Sequence, residues 1–251
     1  MDLGIEDKHA FISGGSHGIG LASALALAAE GCDITFCSRQ PHYWAEAVDR
    51  IKQLGVLCTA IQADVADCEE IVNQCGPVDI LINNVGGGGR WGNDNVLDTD
   101  FQVWQEVFDK NVWSSLNLTK AFLPYMMQRE WGRVVWVTSV YGTEIGGKPW
   151  FNIAKTSQTV MMKNFATDKE LVRHGVTFNS VAPGDIMMPD TGWDKERLSN
   201  PDFDKILDSY PMGRMGTAEE VGSVVAFLSS NQAAYVNGSS VSVDGGQSRS
   251  L

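Results

Sequence analysis

The sequence predicts an α/β fold in which a doubly wound parallel sheet lies between two layers of helices. Short apolar runs alternate with helical patterns along the chain, the order that parallel strands and crossover helices produce. A glycine-rich turn at 14–20 joins the first run to the first helix, and Ser139 follows a later run at 134–137. Because open α/β sheets bind ligands at such strand ends, we predict a single Rossmann-type αβα domain over residues 1–251.

Each element follows from its local pattern. Short apolar runs predict strands at 8–13, 33–37, 56–61, 78–82, 133–137, 176–181 and 240–243. Helical spacing predicts helices at 21–30, 43–54, a short segment after Asp67, 101–128, 150–174 and 218–228. Residues 185–216 break this rhythm with several prolines and glycines, so we expect them to form a flap over the ligand site.

Composition excludes several classes of function. The formal net charge of −12 argues against a nucleic-acid or anionic-membrane surface. The five cysteines are odd in number and none is spaced Cys-x-x-Cys, which indicates free thiols in a reducing compartment. None of the four histidines neighbours another at ligand spacing, so no metal site is expected. The N-terminus is acidic and no apolar run approaches a membrane span, so we expect a cytoplasmic protein.

The turn after the first strand has the composition of a dinucleotide phosphate loop. Gly14 permits a tight turn, Gly18 lets the backbone approach a pyrophosphate, and Gly20 lets the helix pack closely. The helix N-terminus offers free N–H groups to the anion. Its expected cofactor-binding residues are Gly14, Ser16, His17, Gly18, Ile19 and Gly20.

The end of the second strand selects between the two nicotinamide dinucleotides. An acidic residue there would bind the ribose 2′-hydroxyl of NAD, but this chain has Ser38 followed by Arg39. Ser38 removes the carboxylate that would repel a 2′-phosphate, and Arg39 is suited to pair with that phosphate. His17 offers a further donor. The charges therefore favour NADP(H) over NAD(H), against the simpler interpretation that Arg39 is only a solvated surface charge.

Further motifs extend the pattern along the chain. They are Ser13-Gly14-Gly15-Ser16-His17-Gly18-Ile19-Gly20, Asp64-Val65, Asn83-Asn84-Val85-Gly86, Asn111, Ser139, Lys155, Asn179-Ser180-Val181-Ala182-Pro183-Gly184 and Val243-Asp244-Gly245-Gly246. With these motifs in this order, the chain resembles the short-chain dehydrogenase/reductase family over nearly its whole length, and within it members similar to 3-oxoacyl-carrier-protein reductases.

The resemblance implies roles for residues outside the phosphate loop. Asp64 and Val65 would flank the adenine, and Asn83, Val85 and Gly86 would line the cofactor near its nicotinamide. Ile186, after Pro183 and Gly184, would approach the carboxamide. The family usually forms tetramers through its long fourth and fifth helices, here predicted at 101–128 and 150–174, so a homo-oligomer is expected, either a tetramer or a dimer.

The resemblance also implies a catalytic group of Asn111, Ser139, residue 151 and Lys155, with one departure. The family has a tyrosine where this chain has Phe151, whose ring has no hydroxyl to donate or accept a proton. The separation between positions 139 and 151 is also one residue shorter than in many members. Asn111, which interrupts an apolar stripe, suits a backbone or water contact that relays protons to Lys155.

Three interpretations of Phe151 stay open. It is an engineered Tyr→Phe replacement that cripples an ordinary reductase, or a natural residue whose proton comes from water or from Tyr141 or Glu144 on the nearest loop. In the third interpretation the protein binds NADP(H) as a sensor or regulator without redox turnover. The sequence favours an NADP(H)-dependent oxidoreductase that transfers hydride between the nicotinamide and a small carbonyl or secondary alcohol. Ser139, Tyr141 and Trp193 are its expected substrate contacts.

Overall fold

The computed structural model describes residues 2–93 and 95–250. Its sheet has seven parallel strands in the order β3-β2-β1-β4-β5-β6-β7, which confirms the predicted doubly wound α/β fold. The strands are β1 (His9–Ser13), β2 (Asp33–Ser38), β3 (Cys58–Gln62), β4 (Ile80–Asn83), β5 (Gly132–Val137), β6 (Val176–Pro183) and β7 (Ser240–Val243). The strand order changes direction between β1 and β4, because β1 to β3 extend the sheet towards one edge and β4 to β7 extend it towards the other. Folds of this type bind their ligand at this switch point.

Helices cover both faces of the sheet. They are α1 (Gly18–Ala28), α2 (Trp44–Lys52), α3 (Cys68–Cys75), α4 (Phe101–Phe108), α5 (Ser114–Gln128), α6 (Pro149–Thr167), α7 (Lys169–Val172), α8 (Gly192–Ser199), α9 (Phe203–Asp208) and α10 (Ala218–Leu228). Alternate side chains of each central strand enter separate cores. Ile12 and Val135 pack with α1, α2 and α10, whereas Phe11 and Val134 pack with α3, α5 and α6.

The predicted uniform helix at 101–128 is wrong in its middle. The chain stays helical, but it widens into a π-helical turn at Asp109–Trp113 between α4 and α5. The Asn111 side chain is the physical reason, because its Nδ2 donates 2.7 Å to the Val107 carbonyl one turn earlier and competes with the main-chain ladder. The widened turn lies directly beside the ligand site.

Two further helix boundaries differ from the sequence prediction. The predicted helix at 150–174 is interrupted at Asp168, whose extended backbone ends α6 and whose carboxylate caps α7 by accepting the Glu170 N–H. The first helix begins at Gly18 rather than near residue 21. The glycine-rich turn therefore includes the first turn of α1, which places helix N–H groups inside the loop.

The segment 185–216 contains the short helices α8 and α9 and closes on itself. Ile186 pairs with Gly216 in an isolated parallel bridge, and the Gly216 N–H donates 3.0 Å to the Asp185 carbonyl. Its two ends therefore meet at the carboxyl end of β6. Within the described residues, every helix is too short or too polar to cross a membrane.

Candidate active site

The phosphate loop lies at the switch point between β1 and β4. Gly14 and Gly18 have φ of +71° and +55°, a region that side chains disfavour. A Cβ atom on Gly20 would lie 2.2 Å from the Gly14 carbonyl oxygen, so α1 approaches the loop more closely than any other residue would allow. His17 precedes the helix without capping it through its side chain, which leaves the first-turn N–H groups for an anion. This geometry fits a dinucleotide pyrophosphate.

The flap contacts the phosphate loop and the segment before α2. The Met188 Sδ lies 2.7 Å from the position of a Cβ on Gly18, and the Tyr43 hydroxyl donates 2.9 Å to an Asp190 carboxylate oxygen. The His17 ring stacks on Tyr43 with centroids 5.1 Å apart. Partial burial lowers the pKa of His17, against an opposing effect of Asp190, so its imidazole is mainly neutral at pH 7.

The end of β2 presents Arg39 to solvent. The Arg39 side chain is 68% exposed and its Nη1 lies 3.6 Å from an Asp64 carboxylate oxygen. An ion pair this exposed is weak, so the guanidinium can change partner at little cost. Ser38 uses its hydroxyl locally, donating to the Gln40 carbonyl and accepting from the Trp44 indole N–H. Val65, next to Asp64, is buried in the core beneath this edge.

The residues after β4 form the next part of the wall. Asn83 is buried and its Nδ2 donates 3.0 Å to the Thr119 hydroxyl, and the Val85 N–H donates 3.0 Å to the Ser13 hydroxyl. Gly86 lies against the two polar groups behind it, because a Cβ there would be 2.7 Å from Asn111 Oδ1 and 2.9 Å from Lys155 Nζ. Gly86 therefore marks the point where the predicted cofactor and catalytic residues meet.

Asn111 fastens the glycine loop to the π-helical turn. Its Nδ2 donates 2.8 Å to the Gly87 carbonyl, and its Oδ1 accepts the Gly87 N–H at 3.1 Å. Its main-chain carbonyl accepts the Gln158 amide at 2.7 Å and the Ser115 hydroxyl at 2.9 Å. The sequence predicted a relay from this residue to Lys155, and the structure places the Gln158 side chain between the two.

Lys155 lies beneath the site with only 3% of its surface exposed. Its Nζ donates 3.0 Å to the Val137 carbonyl at the end of β5 and 2.9 Å to Gln158 Oε1. Burial, and after it the nearby Lys110 charge, lowers the pKa of this ammonium to about 7. Lys155 therefore changes charge near neutral pH.

Ser139 and Phe151 face the site from the loop after β5 and the first turn of α6. The Ser139 oxygen accepts the Tyr141 N–H at 3.2 Å, which leaves its own hydrogen for another acceptor. The Phe151 ring lies 3.3 Å from the position of a Cβ on Gly89, and its centroid is 5.7 Å from Lys155 Nζ. The ring fills the space between the glycine loop and the lysine without contributing a polar atom.

Asp185 organises the substrate side of the site. Its carboxylate accepts from the Trp193 indole N–H at 3.2 Å, the Tyr210 hydroxyl at 2.7 Å and the Gln247 amide at 2.8 Å. These contacts tie the flap to the C-terminal segment. Burial, and then the charges of Asp185 and Glu144, raise the pKa of Tyr141, so that phenol stays protonated well above neutral pH.

Two predicted site residues have structural partners that the sequence did not indicate. The Glu144 carboxylate accepts the Ser248 hydroxyl and the Arg249 N–H, both at 2.9 Å, and so anchors the C-terminal segment. The Trp193 ring packs against the Arg90 guanidinium at 4.7 Å.

Ile186 is buried just after β6, beyond Pro183 and Gly184.

Sequence reasoning missed Gln158 and Asp185. Gln158 is a polar residue at four-residue spacing in a buried row of α6 that also contains Trp150, Ala154, Met162 and Ala166, and this interruption was a detectable signal. Asp185 gave no such signal, because its donors come from positions up to 62 residues away and only the fold brings them together.

Comparison with known proteins decides the family. Residues 14–248 match the family model described as enoyl-(acyl carrier protein) reductase. The 3-oxoacyl-[acyl-carrier-protein] reductase FabG of Staphylococcus aureus (strain N315) is 34% identical over 248 residues, spanning 95% of this chain and 97% of that protein. The chain belongs to the short-chain dehydrogenase/reductase family. The FabG of Escherichia coli (strain K12) is also 34% identical, over 97% of this chain and 98% of that protein.

Solved structures of dehydrogenases and reductases superpose over 97% to 100% of the chain. L-sorbose reductase from Gluconobacter frateurii, complexed with NADPH and L-sorbose, has a TM-score of 0.89 at 30% identity, with 100% of both chains covered. Carveol dehydrogenase from Mycobacterium avium, in complex with NAD, has a TM-score of 0.85 at 28% identity over 97% of this chain and 98% of that chain. The chain thus shares its fold with dehydrogenases and reductases whose structures hold NADPH or NAD.

Proposed function

We propose that this protein is an NADP(H)-dependent oxidoreductase that transfers hydride between the nicotinamide and a small carbonyl or secondary alcohol. One observation carries the proposal: Lys155 Nζ and Asn111 Oδ1 converge on Gly86, just after β4, and Ser139 follows the neighbouring strand β5. The residues proposed to hold the cofactor are Gly14, Ser16, His17, Gly18, Ile19, Gly20, Ser38, Arg39, Asp64, Val65, Asn83, Val85, Gly86, Lys155, Pro183, Gly184 and Ile186.

The bound nicotinamide supplies or accepts the hydride, and the protein orients and polarises the substrate. Ser139 has a hydroxyl hydrogen to donate to the carbonyl oxygen, which stabilises the negative charge that develops there. The Lys155 ammonium would hold the nicotinamide ribose and would add positive charge near the substrate. Phe151 packs the substrate position, and Tyr141 and Trp193 line its outer side.

The proton for the substrate oxygen needs a source other than Phe151. The Tyr141 phenol lies two residues after Ser139 and has a raised pKa. A phenol that is protonated at neutral pH has a proton to donate to the substrate oxygen. Glu144 is a weaker candidate because its carboxylate already accepts two hydrogen bonds from the C-terminal segment.

The preference for NADP(H) rests on Arg39. The end of β2 has no acidic residue to repel a 2′-phosphate, and the weakly paired guanidinium is free to bind one. The superposed L-sorbose reductase is complexed with NADPH, whereas carveol dehydrogenase is complexed with NAD. Proteins of this fold therefore bind either cofactor, and the charges at the end of β2 favour NADP(H) in this protein.

Three further proposals concern the whole chain. We propose that residues 1–251 act as one dinucleotide-binding and catalytic domain, with 185–216 covering the substrate. We place the protein in the cytoplasm, where its five free cysteines would stay reduced. We also propose a homo-oligomer formed through an apolar groove of about 550 Å³ beside α6.

The Phe151→Tyr variant tests the activity. A positioned acid contributes roughly 10²- to 10⁴-fold to the rate, so if a phenol is what the site lacks, NADPH oxidation against a panel of small carbonyls should rise within that range. Phe101→Tyr, an exposed residue in α4, is the matched control and should leave the rate unchanged.

Measurements of nucleotide binding distinguish the proposed enzyme from a protein that only senses NADP(H). NADPH should quench the tryptophan fluorescence of the parent chain at concentrations where NADH has little effect. Tight NADPH binding without turnover, in both the parent chain and the Phe151→Tyr variant, would favour a regulatory protein. If neither nucleotide binds, the proposed function is wrong.

A further inference from the structure

A buried carboxamide connects two parts of the site that the sequence treated separately. Gln158 has no exposed surface, and its side chain lies between the π-helical turn and Lys155. Its Nε2 donates 2.7 Å to the Asn111 carbonyl, and its Oε1 accepts the Lys155 ammonium at 2.9 Å. Because the carbonyl only accepts and the ammonium only donates, chemistry fixes the orientation of this amide.

We propose that Gln158 is a positioning residue whose carboxamide holds the Lys155 ammonium against the π-helical turn at Asn111. Its role in catalysis rests on the proposed function, since it acts through the lysine that would hold the cofactor ribose. The bridge itself rests only on contacts within the chain.

The groups around Lys155 show why one amide has this influence. Strand β5 contributes the Val137 carbonyl, the loop after β4 contributes Gly86, and α6 contributes Gln158 and the Phe151 ring. The charged group that acts on Lys155, among the described residues, is Lys110 of the π-helical turn, and it repels the ammonium. Gln158 is therefore one of two neutral acceptors that stabilise a positive charge held there without an acidic partner.

The bridge also limits how protons reach Lys155. An amide holds its N–H hydrogens and has no proton to pass on, unlike a hydroxyl. The Asn111 carbonyl is already engaged by Gln158 and Ser115. Protons that Lys155 gains or loses therefore exchange on the side that faces the substrate and the cofactor.

The pH dependence of stability tests the bridge without any cofactor. The folded pKa of Lys155 is about 7, and an unfolded lysine titrates near pH 10.4. Between these values the unfolded chain binds more protons, so the Lys155 contribution to the free energy of unfolding rises with pH across this window. Below pH 7 the full cost of burying the charge is present. The Lys155→Met variant lacks this dependence, and the difference between the two chains isolates it.

Substitutions of Gln158 should shift the pH at which the Lys155 contribution to the free energy of unfolding begins to rise. Gln158→Glu supplies an opposite charge, which should raise the starting pH by about one to three units. Gln158→Leu removes a hydrogen bond that stabilises the charged Lys155 ammonium, and it should lower this starting pH. Urea unfolding from pH 6 to 10, for each variant with and without Lys155→Met, measures both shifts. Met162→Ala, one turn further along the same buried face, should reduce stability without moving the window.

The outcomes separate the inference from the proposed function. If neither Gln158 variant moves the window, Gln158 only packs, and the inference is wrong. If one variant fails to fold by circular dichroism, the other still decides. Titration of NADPH into the same variants gives the second measurement, in which the pH midpoint of binding should move with the stability window. Shifted stability without NADPH binding would uphold the bridge and reject the proposed function.

Discussion

Arg39 is the residue whose replacement should change the cofactor preference. Charge-assisted hydrogen bonds to a phosphate contribute about 1.5–3 kcal/mol, so Arg39→Ala should weaken NADPH binding about 10- to 100-fold and leave NADH binding nearly unchanged. The ratio of the two dissociation constants, measured by fluorescence titration, checks this. Arg50→Ala is a matched control because that arginine is also exposed and paired, with Glu46 in α2. An equal loss for both nucleotides would contradict a role in binding the 2′-phosphate.

The free-energy cost of burying the Lys155 ammonium also explains why hydrogen-bond acceptors surround it. Burying an ammonium without an acidic partner costs free energy, and that cost appears here as a lowered pKa. The Val137 carbonyl and the Gln158 amide offset part of it. A lysine that titrates near neutral pH can act on the cofactor as a cation at lower pH and as a neutral amine at higher pH.

At the scale of elements, the sequence predicted the sheet better than the helix ends. Apolar runs and glycine turns placed the ends of all seven strands within two residues, because the central strands of a parallel sheet are buried on both faces and are therefore rich in apolar residues. The π-helical turn at Asn111 and the interruption at Asp168 escaped prediction. Both arise from a polar side chain that competes for main-chain groups, which hydrophobic periodicity does not report.

The candidate site likewise has one part that the sequence predicts and another that it does not. The phosphate loop was predictable because its glycines meet a backbone requirement that is local in sequence. The Asp185 cluster was not, because Trp193, Tyr210 and Gln247 come together only through the folded flap and the C-terminal segment.

The C-terminal segment should depend on Glu144 for its position. Glu144→Ala removes the acceptor of both the Ser248 hydroxyl and the Arg249 N–H. Because a hydrogen bond at a solvent-accessible position contributes about 0.5–1.5 kcal/mol, amide hydrogen exchange at residues 248–250 should accelerate about 2- to 10-fold. The KM for the carbonyl substrate should rise, while the NADPH dissociation constant stays the same. Glu170→Ala, an exposed glutamate beyond α6, is the control; unchanged exchange at residues 248–250 would show that Glu144 does not anchor the segment.

At the scale of the whole molecule, the apolar face of α6 is the surface that we propose for self-association. Its groove includes Trp113, Ile153 and Val160, whose side chains are about half exposed (49%, 48% and 55%). Globular proteins seldom leave an apolar patch of this kind exposed to water. A second copy of the same helix is self-complementary, since a two-fold axis brings identical apolar faces together.

A charge placed in this groove should therefore dissociate the assembly. Val160→Glu brings like charges close to each other across a two-fold axis, and like charges facing each other cost several kcal/mol, which corresponds to at least a hundredfold rise in the dissociation constant. Light scattering coupled to size-exclusion chromatography should show the parent chain as a dimer or tetramer and the variant as a smaller species. Leu57→Glu introduces the same charge at an exposed leucine before β3 and should leave the mass unchanged. A parent chain that elutes as a monomer would contradict self-association, and an assembly that survives Val160→Glu would show that the copies associate through another face.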